Sequence, residues 1–278
     1  MAPLDSERLL EGLLQEMGSV LVAYSGGVDS TYLAAVANEV LGASALAVTA
    51  QSPSLAPSEL DEAVEMAGSL GLRHRVVQTD EVEDPRYLAN NPRRCFFCKD
   101  HLYTHLQAIA ADEGIAWVAN GANTDDLGDY RPGLEAASKH GARSPLVEAG
   151  LAKEDIRELS RLRGLPTADK PAQACLSSRI PYGTAVTVEA LHQIAKAEAV
   201  LRGLGFRRFR VRHHDSIARI EVEPSDLPVL LEQREDIVLQ LKALGYAYVS
   251  VDLEGFQSGS LNRVLPDRLK HRPRKVSS

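Results

Sequence analysis

Two groups of residues in this 278-residue sequence carry the means for chemistry. The first is Ser25-Gly26-Gly27-Val28-Asp29-Ser30. Adjacent glycines let the backbone turn tightly and bring its N–H groups close to an anion. Ser25 and Ser30 add hydroxyl donors, and a helix opening there would present its positive end. A pyrophosphate group suits such a loop. Asp29 cannot attract phosphate by charge, so holding Mg2+ is its more natural role. The segment lacks the lysine of a P-loop NTPase and does not match G-x-x-x-x-G-K. The plain alternative is a glycine turn that only joins a strand to a helix.

The second group is three cysteines. Cys95 and Cys98 lie in Arg94-Cys95-Phe96-Phe97-Cys98-Lys99, and Cys175 lies in Ala174-Cys175-Leu176-Ser177-Ser178-Arg179. An odd count without a secretion signal argues against a disulfide framework. Three readings stand side by side. One is an iron–sulfur cluster on three thiolates, where four cysteines are usual and three leave an iron open. Another is zinc, which wants a fourth ligand in structural sites. The third is sulfur-donor or redox chemistry by Cys175 alone. Arg94, Lys99 and Arg179 are expected to lower the thiol pKa values. Three unrelated buried cysteines remain the bland alternative.

The elements that must position these residues alternate strand and helix. Val20 to Tyr24 reads as a strand, and Leu33, Val36, Ala37 and Val40 mark a helix ended by Gly42. Ala45 to Thr49 is a second strand. A helix opens at Pro57 and Ser58, with Asp61 as capping partner. Arg75 to Gln78 is a third strand, His101 to Glu113 a helix, Ile115 to Ala119 a fourth strand and Lys153 to Arg163 a helix. Leu165 to Ala168 reads as a fifth strand. This order predicts an α/β fold with a doubly wound parallel sheet. Ligands of such sheets sit at the carboxyl ends of the strands. The loops after Tyr24, Thr49 and Asn120 lie on that edge, as does the loop Gln78 to Pro92 leading to the first cysteines.

The pattern changes after Pro181-Tyr182-Gly183. A helix from Val188 to Leu204 precedes strands at Arg208–Arg212 and Ile217–Val222. A helix at Leu227–Leu244 and a strand at Tyr246–Leu253 follow. This predicts a smaller C-terminal α+β domain over 181–258, after an N-terminal domain over 1–180. Residues 259–278 form a basic tail, read as solvated and frayed with a binding role as the alternative.

The formal charge of −7 argues against a protein that coats nucleic acid. No apolar run reaches the length of a membrane span. Met1 to Glu7 lacks the basic region and hydrophobic stretch of a secretory signal, so the cytoplasm is the expected compartment.

The Ser25–Ser30 segment resembles the SGG-x-DS motif of the PP-loop ATP pyrophosphatases, which cleave ATP between the α and β phosphates. Asn120-Gly121-Ala122-Asn123-Thr124-Asp125-Asp126-Leu127-Gly128-Asp129-Tyr130-Arg131-Pro132-Gly133 makes the likeness closer. So do Lys170-Pro171 ahead of Cys175, Pro181-Tyr182-Gly183 after it, Val211-Arg212-His213-His214 and Ala218-Arg219-Ile220-Glu221-Val222. Together they resemble the LarE family, ATP-dependent sulfur transferases that build the nickel-pincer cofactor of lactate racemase.

The resemblance implies that ATP adenylates a carboxylate of pyridinium-3,5-biscarboxylic acid mononucleotide, and that sulfur then displaces AMP to give a thiocarboxylate. In one branch of the family, the cysteine matching Cys175 gives up its own sulfur. In another, three cysteines matching Cys95, Cys98 and Cys175 bind a 4Fe–4S cluster; this sequence has all three, which favours the cluster. The implied partners are sulfide or a sulfur donor, and further copies of the chain up to a hexamer.

The expected nucleotide site takes Ser25, Gly26, Gly27, Asp29, Ser30, Thr49, Asn123, Asp125 and Asp126, with Mg2+ on Asp29. Arg210 and Arg212, two apart on one strand face, are the expected clamp for the substrate phosphate. Glu198 and Glu221 follow by resemblance as secondary metal ligands. The main rival is a tRNA thiolase of the PP-loop class, which the net charge and the 5% aromatic content disfavour. An amidating PP-loop enzyme, or a nucleotide-sensing binding protein, would leave the cysteines idle.

Overall fold

Successive residues of the first strand face two different cores. In β1 (Val20–Ala23), Val20 and Val22 enter one cluster and Leu21 the other. In β2 (Ala45–Gln51), Ala45 and Ala47 join the first cluster and Leu46 and Val48 the second. Strands buried on both faces read as continuous apolar runs, as these do. With β3 (His74–Gln78) and β4 (Trp117–Ala119) they form a parallel sheet of order β3-β2-β1-β4. One face is covered by helices Pro3–Met17, Val28–Leu41 and Lys153–Leu162, the other by Arg94–Asp112 and Pro132–Lys139. This is the α/β doubly wound sheet the sequence predicts. The computed structural model describes residues 2–264 except Asp129, Tyr130, Ala172 and Ser258. Asp129 and Tyr130 of the Asn120–Gly133 segment, and the basic tail from residue 265, lie outside the described residues.

The C-terminal part holds β5 (Phe209–His214), β6 (Ile217–Val222) and β7 (Tyr248–Val251), with β5 antiparallel and β7 parallel to β6. Helix Val188–Gly203 packs on it through Ala197 and Leu201. A separate apolar cluster joins Ala56, Tyr87, Leu176, Ile180 and Leu191, with Cys98 at its edge. No described helix is long and apolar enough to cross a membrane.

Four expectations need correction. Leu165 to Ala168 is a turn rather than a strand: Leu165 N–H returns to Ser160 and Ala168 N–H to Leu165, and Pro166 has no N–H for a ladder. The helix expected from His101 begins at Arg94, so Cys95 and Cys98 sit in its first turns and not in a loop. Helix Pro57–Ser69 starts after Ala56 with no side-chain cap, which leaves Ser58 inside the first turn and Asp61 without a capping role. The stretch Leu227–Leu244 divides at Gln233 into helices Leu227–Glu232 and Arg234–Ala243. The first helix, Pro3–Met17, was not foreseen.

The cysteine-bearing helix is clasped to the loop before it. Asp80 accepts from His101 Nδ1 at 2.8 Å and His105 Nε2 at 3.1 Å, and Asp84 meets His101 Nε2 at 3.1 Å. The two imidazoles hold the Asp80 carboxyl down at about 2. Burial alone would lower His101, but the bonds to Asp80 and Asp84 prevail and raise it. A group whose folded pKa is raised contributes stability below its unfolded pKa and loses it as pH rises through the folded value. The stability difference between the unaltered protein and His101→Ala should therefore be larger at about pH 6 than at about pH 8.5. Urea unfolding at the two pH values measures it, and an equal difference would contradict the clasp.

Candidate functional site

The nucleotide end is built where β1 meets helix Val28–Leu41. Gly26 adopts φ +67, and a Cβ there would lie 2.8 Å from Ala63 Cβ and 2.9 Å from Ala63 Cα. The loop thus needs glycine both for its turn and for its approach to helix Pro57–Ser69. Gly27 is the N-cap and has no side chain to cap the helix. The N–H groups of Val28, Asp29 and Ser30 have no carbonyl four residues back within the helix, which makes this end a cradle for phosphate oxygens. Ser30 Oγ bonds Ser25 Oγ at 3.1 Å, receives Ser25 N–H at 3.2 Å and donates to Gly27 O at 3.2 Å. The loop's shape is therefore set before any ligand arrives.

The loop after β4 closes over this cradle. A Cβ on Gly121 would lie 2.9 Å from Ser30 N. Asn123 is buried and its Nδ2 reaches Asp29 Oδ1 at 3.4 Å. Asn123 Oδ1 accepts Asp125 N–H, and Asp126 Oδ2 accepts Asn123 N–H, both at 3.0 Å. The segment thus caps its own turn and also touches the phosphate loop. Asp125 takes the N–H of Lys153 at 3.0 Å, and Asp126 pairs with Arg131 at 2.8 Å. Thr49, buried at the end of β2, bonds His74 Nε2 at 2.8 Å.

Two lysines at this end had no contact assigned from the sequence: Lys153 entered only as a helix start and Lys170 only in the Lys170-Pro171 likeness. Lys153 Nζ lies 2.5 Å from Asp29 Oδ2, and Lys170 Nζ donates to Gly26 O at 3.1 Å while pairing with Glu62 at 2.9 Å. A lone lysine far along the chain gives no spacing signal.

At the sulfur end, Cys95 and Cys98 are three apart on helix Arg94–Asp112 and so share a face. Cys175 precedes the turn Leu176–Arg179. Buried Arg94 joins the two segments, with Nη1 on Asn90 Oδ1 at 2.6 Å and on Ser177 O at 2.8 Å. Asn90, at φ +47, donates to the carbonyls of Pro181 and Thr184 at 2.8 Å each. Tyr87 Oη meets Ser177 Oγ at 2.6 Å. Arg94 Nη2 also lies 4.0 Å from Cys95 Sγ, so one guanidinium reaches both Cys95 and the turn that follows Cys175.

The expected thiolate character is corrected at Cys98. Burial, and then the charge of Glu81, push that thiol well above its usual range, and Lys99 offsets them only in part. Arg94 is held by Asn90 and Ser177 with its Nη2 4.0 Å from Cys95 Sγ, and Arg179 pairs with Glu198 while donating to Cys175 O at 3.0 Å.

The donor set suits a thiolate-bound iron–sulfur group: three soft sulfurs with Arg94, Lys99 and Arg179 nearby to offset negative charge. Among the described residues no three His, Cys, Asp or Glu side chains already stand as a metal-ligand set.

The arginines and glutamates of the C-terminal part divide by partner. Arg179 grips Glu198 with Nε and Nη2 at 2.8 and 2.9 Å, and Glu198 also accepts Val211 N–H at 3.1 Å. Arg212 grips Glu221 at 2.9 and 2.7 Å and also bonds Ser178 O and Ser260 Oγ, each at 2.8 Å. Both carboxylates, expected as metal ligands, are spent on arginine forks. Arg210 forms no ion pair among the described residues and lies over Phe256 at 5.0 Å. Burial, then the charges of Arg179 and Arg212, bring it down to about 10. Glu59 is raised by burial despite Arg179, Arg210 and Lys170.

A parallel doubly wound sheet with an uncapped, lysine-free glycine loop defines a PP-loop ATP pyrophosphatase. The asparagine synthase family model matches residues 13–95, which hold that loop. An uncharacterized protein of Synechocystis sp. is 48% identical over 264 residues, 93% of this chain and 98% of that protein. The pyridinium-3,5-bisthiocarboxylic acid mononucleotide synthase of Lactiplantibacillus plantarum is 40% identical over 257 residues, 92% of this chain and 93% of that enzyme. An uncharacterized protein of Methanocaldococcus jannaschii is 28% identical over 239 residues, 86% of this chain and 91% of that protein. The chain belongs to the LarE family and is an ATP-dependent sulfurtransferase.

Gly26→Ala should raise the ATP requirement or abolish turnover, with a loss of about tenfold or more, because the added methyl meets the Ala63 backbone at a left-handed φ. Steady-state kinetics in ATP measure this, and an unchanged ATP dependence would contradict the cradle.

Proposed function

We propose that this chain converts a carboxylate of pyridinium-3,5-biscarboxylic acid mononucleotide to a thiocarboxylate in nickel-pincer cofactor synthesis. The observation that carries the reading is the Arg94 guanidinium, which donates to Ser177 O in the turn after Cys175 and lies 4.0 Å from Cys95 Sγ in a PP-loop enzyme. The Lactiplantibacillus relative, named for the bisthiocarboxylic product, supports the substrate.

The first step is adenylation. The N–H groups of Val28, Asp29 and Ser30 hold the pyrophosphate portion of ATP, with Ser25, Gly26 and Gly27 shaping the loop. Thr49, Asn123, Asp125 and Asp126 line the nucleotide side, and Asp29 is the carboxylate that would take Mg2+. A substrate carboxylate oxygen attacks the α-phosphorus, the bond to pyrophosphate breaks, and an acyl adenylate results. A carboxylate is otherwise a poor electrophile, with a bad leaving group and a charge that repels nucleophiles. Arg210, backed by Arg212, is the candidate for the substrate's own phosphate.

The second step is sulfur delivery. A sulfur nucleophile attacks the acyl carbon, the C–S bond forms, the C–O bond breaks, and AMP leaves. Cys95, Cys98 and Cys175 would hold a 4Fe–4S cluster, which when bound supplies an open iron for sulfur. In this reading residues 1–180 carry adenylation, 181–258 the substrate phosphate, and the enzyme works in the cytoplasm. Exposed Leu231, Leu239, Tyr248 and Leu253 support self-association of the C-terminal part.

Incubation with ATP, Mg2+, sulfide and the pyridinium substrate should release AMP and pyrophosphate in step with a product in which sulfur replaces oxygen, read by mass spectrometry. An amide formed from ammonia, or sulfur found in tRNA instead, would refute the reading.

A further inference from the structure

Arg210 stands directly across the β5–β6 ladder from Glu221. Both oxygens of that carboxylate are taken by other arginines. Oε1 accepts from Arg212 Nε at 2.9 Å and Arg219 Nη2 at 3.0 Å, and Oε2 accepts from Arg212 Nη2 at 2.7 Å. Among the described residues Arg210 donates only to the carbonyl of Phe209, from Nη1 at 2.7 Å. Burial, and then the charges of Arg179 and Arg212, work against its own charge. An anion is the ligand that such a guanidinium lacks.

An aromatic face holds it instead. The guanidinium carbon of Arg210 lies 5.0 Å from the Phe256 ring centroid, and that of Arg208 lies 5.5 Å from the same ring. Arg208 is already paired with Glu223 at 2.7 Å. A ring face attracts a guanidinium through its quadrupole, and it orients the group without neutralising it or occupying its N–H donors. Arg210 thus keeps its charge and its remaining donors for a ligand.

The chain is built to put Phe256 there. After β7 it turns at Asp252, whose Oδ1 accepts Glu254 N–H at 2.9 Å and whose carbonyl accepts Gly255 N–H at 3.1 Å. Gly255 sits at φ +71, and a Cβ on it would lie 2.8 Å from Val222 O. That same carbonyl accepts Phe256 N–H at 2.7 Å. Val222 pairs with Phe209, so Phe256 is pinned beside the residue that separates Arg208 from Arg210. Further on, Ser260 Oγ accepts from Arg212 Nη2 at 2.8 Å. The segment after β7 therefore meets both arginines of the expected clamp, and of the two only Arg212 is bound to a carboxylate.

We propose that Phe256 is a positioning residue that aims the Arg210 guanidinium at the phosphate of the mononucleotide substrate. The inference rests on the reading above that Arg210 meets that phosphate, and adds the residue that holds the arginine ready for it.

The test follows substrate-dependent exchange of pyrophosphate into ATP with the full-length protein. It is run against the concentration of the pyridinium mononucleotide and of its nucleoside, which lacks the phosphate. Phe256→Leu should raise the half-saturating mononucleotide by roughly three- to tenfold, the worth of one partly buried cation–π contact, with much less change in the rate at saturation. The preference for mononucleotide over nucleoside should fall by the same factor. Phe256→Tyr, which keeps a ring face, should restore most of that preference. In an Arg210→Met background, Phe256→Leu should add nothing further. An unchanged preference in Phe256→Leu would overturn the proposal. So would an equal loss with the nucleoside, or an effect that persists in full without Arg210, because the ring would then serve only the fold. If Arg210→Met itself leaves the preference unchanged, the phosphate reading falls and the proposal with it. If Arg210→Met removes the preference and Phe256→Leu does not touch it, only the proposal falls.

Discussion

Arg94 is buried between two segments more than eighty residues apart in sequence, and its guanidinium donates to Asn90 on one side and Ser177 on the other. A buried guanidinium must find acceptors, because leaving a charged donor unpaired in the interior costs several kcal/mol. That requirement pins the helix carrying Cys95 and Cys98 to the turn after Cys175. The turn is gripped from other directions as well: Leu176 N–H by Ser54, the Cys175 carbonyl by Arg179, and the Ser178 carbonyl by Arg212. Backbone carbonyls of one short turn thus receive three arginines, Arg94 and Arg212 from elsewhere in the chain and Arg179 from the turn itself. The position of Cys175 is set by these bonds rather than by the local turn alone.

Helix Pro57–Ser69 and the residues just before it connect the sulfur end to the nucleotide end. Ala63 meets Gly26 of the phosphate loop, while Ala56 packs with Leu176 and Ser54 holds the Cys175 segment. Glu62 holds Lys170 over the carbonyl of Gly26. In the proposed reaction adenylation and sulfur delivery act on the same carboxyl group, so the two centres must face one cleft. One helix together with the segment that leads into it touches both, which is a direct way to keep them in register.

The sheet and the phosphate loop could be read from the sequence because their signals are local. Apolar runs at Val20 and Ala45 and the glycine pair at Gly26 and Gly27 state what they form within a few residues. Leu165–Ala168 misled because a short apolar run bounded by proline looks like a strand until its hydrogen bonds are traced. The partners of the site were mostly hidden. Lys153 and Phe256 are single residues whose meaning depends on contacts across the fold. Arg212 and Arg210 looked alike on one strand, yet Glu221 on the paired strand claims Arg212 and leaves Arg210 without an ion pair. That distinction rests on sheet register, which spacing within one strand does not reveal.

The claim at the centre of this account is that Cys95, Cys98 and Cys175 form one sulfur site. The most direct measurement is iron and acid-labile sulfide on protein reconstituted without oxygen, with each cysteine replaced by serine in turn. The account predicts about four irons per chain in the unaltered protein, as one 4Fe–4S group requires, and a large loss in all three variants. Full iron retention in any one variant would contradict a three-thiol site. Absence of iron from the unaltered protein, with sulfur lost from Cys175 during turnover, would place the chemistry on that cysteine alone.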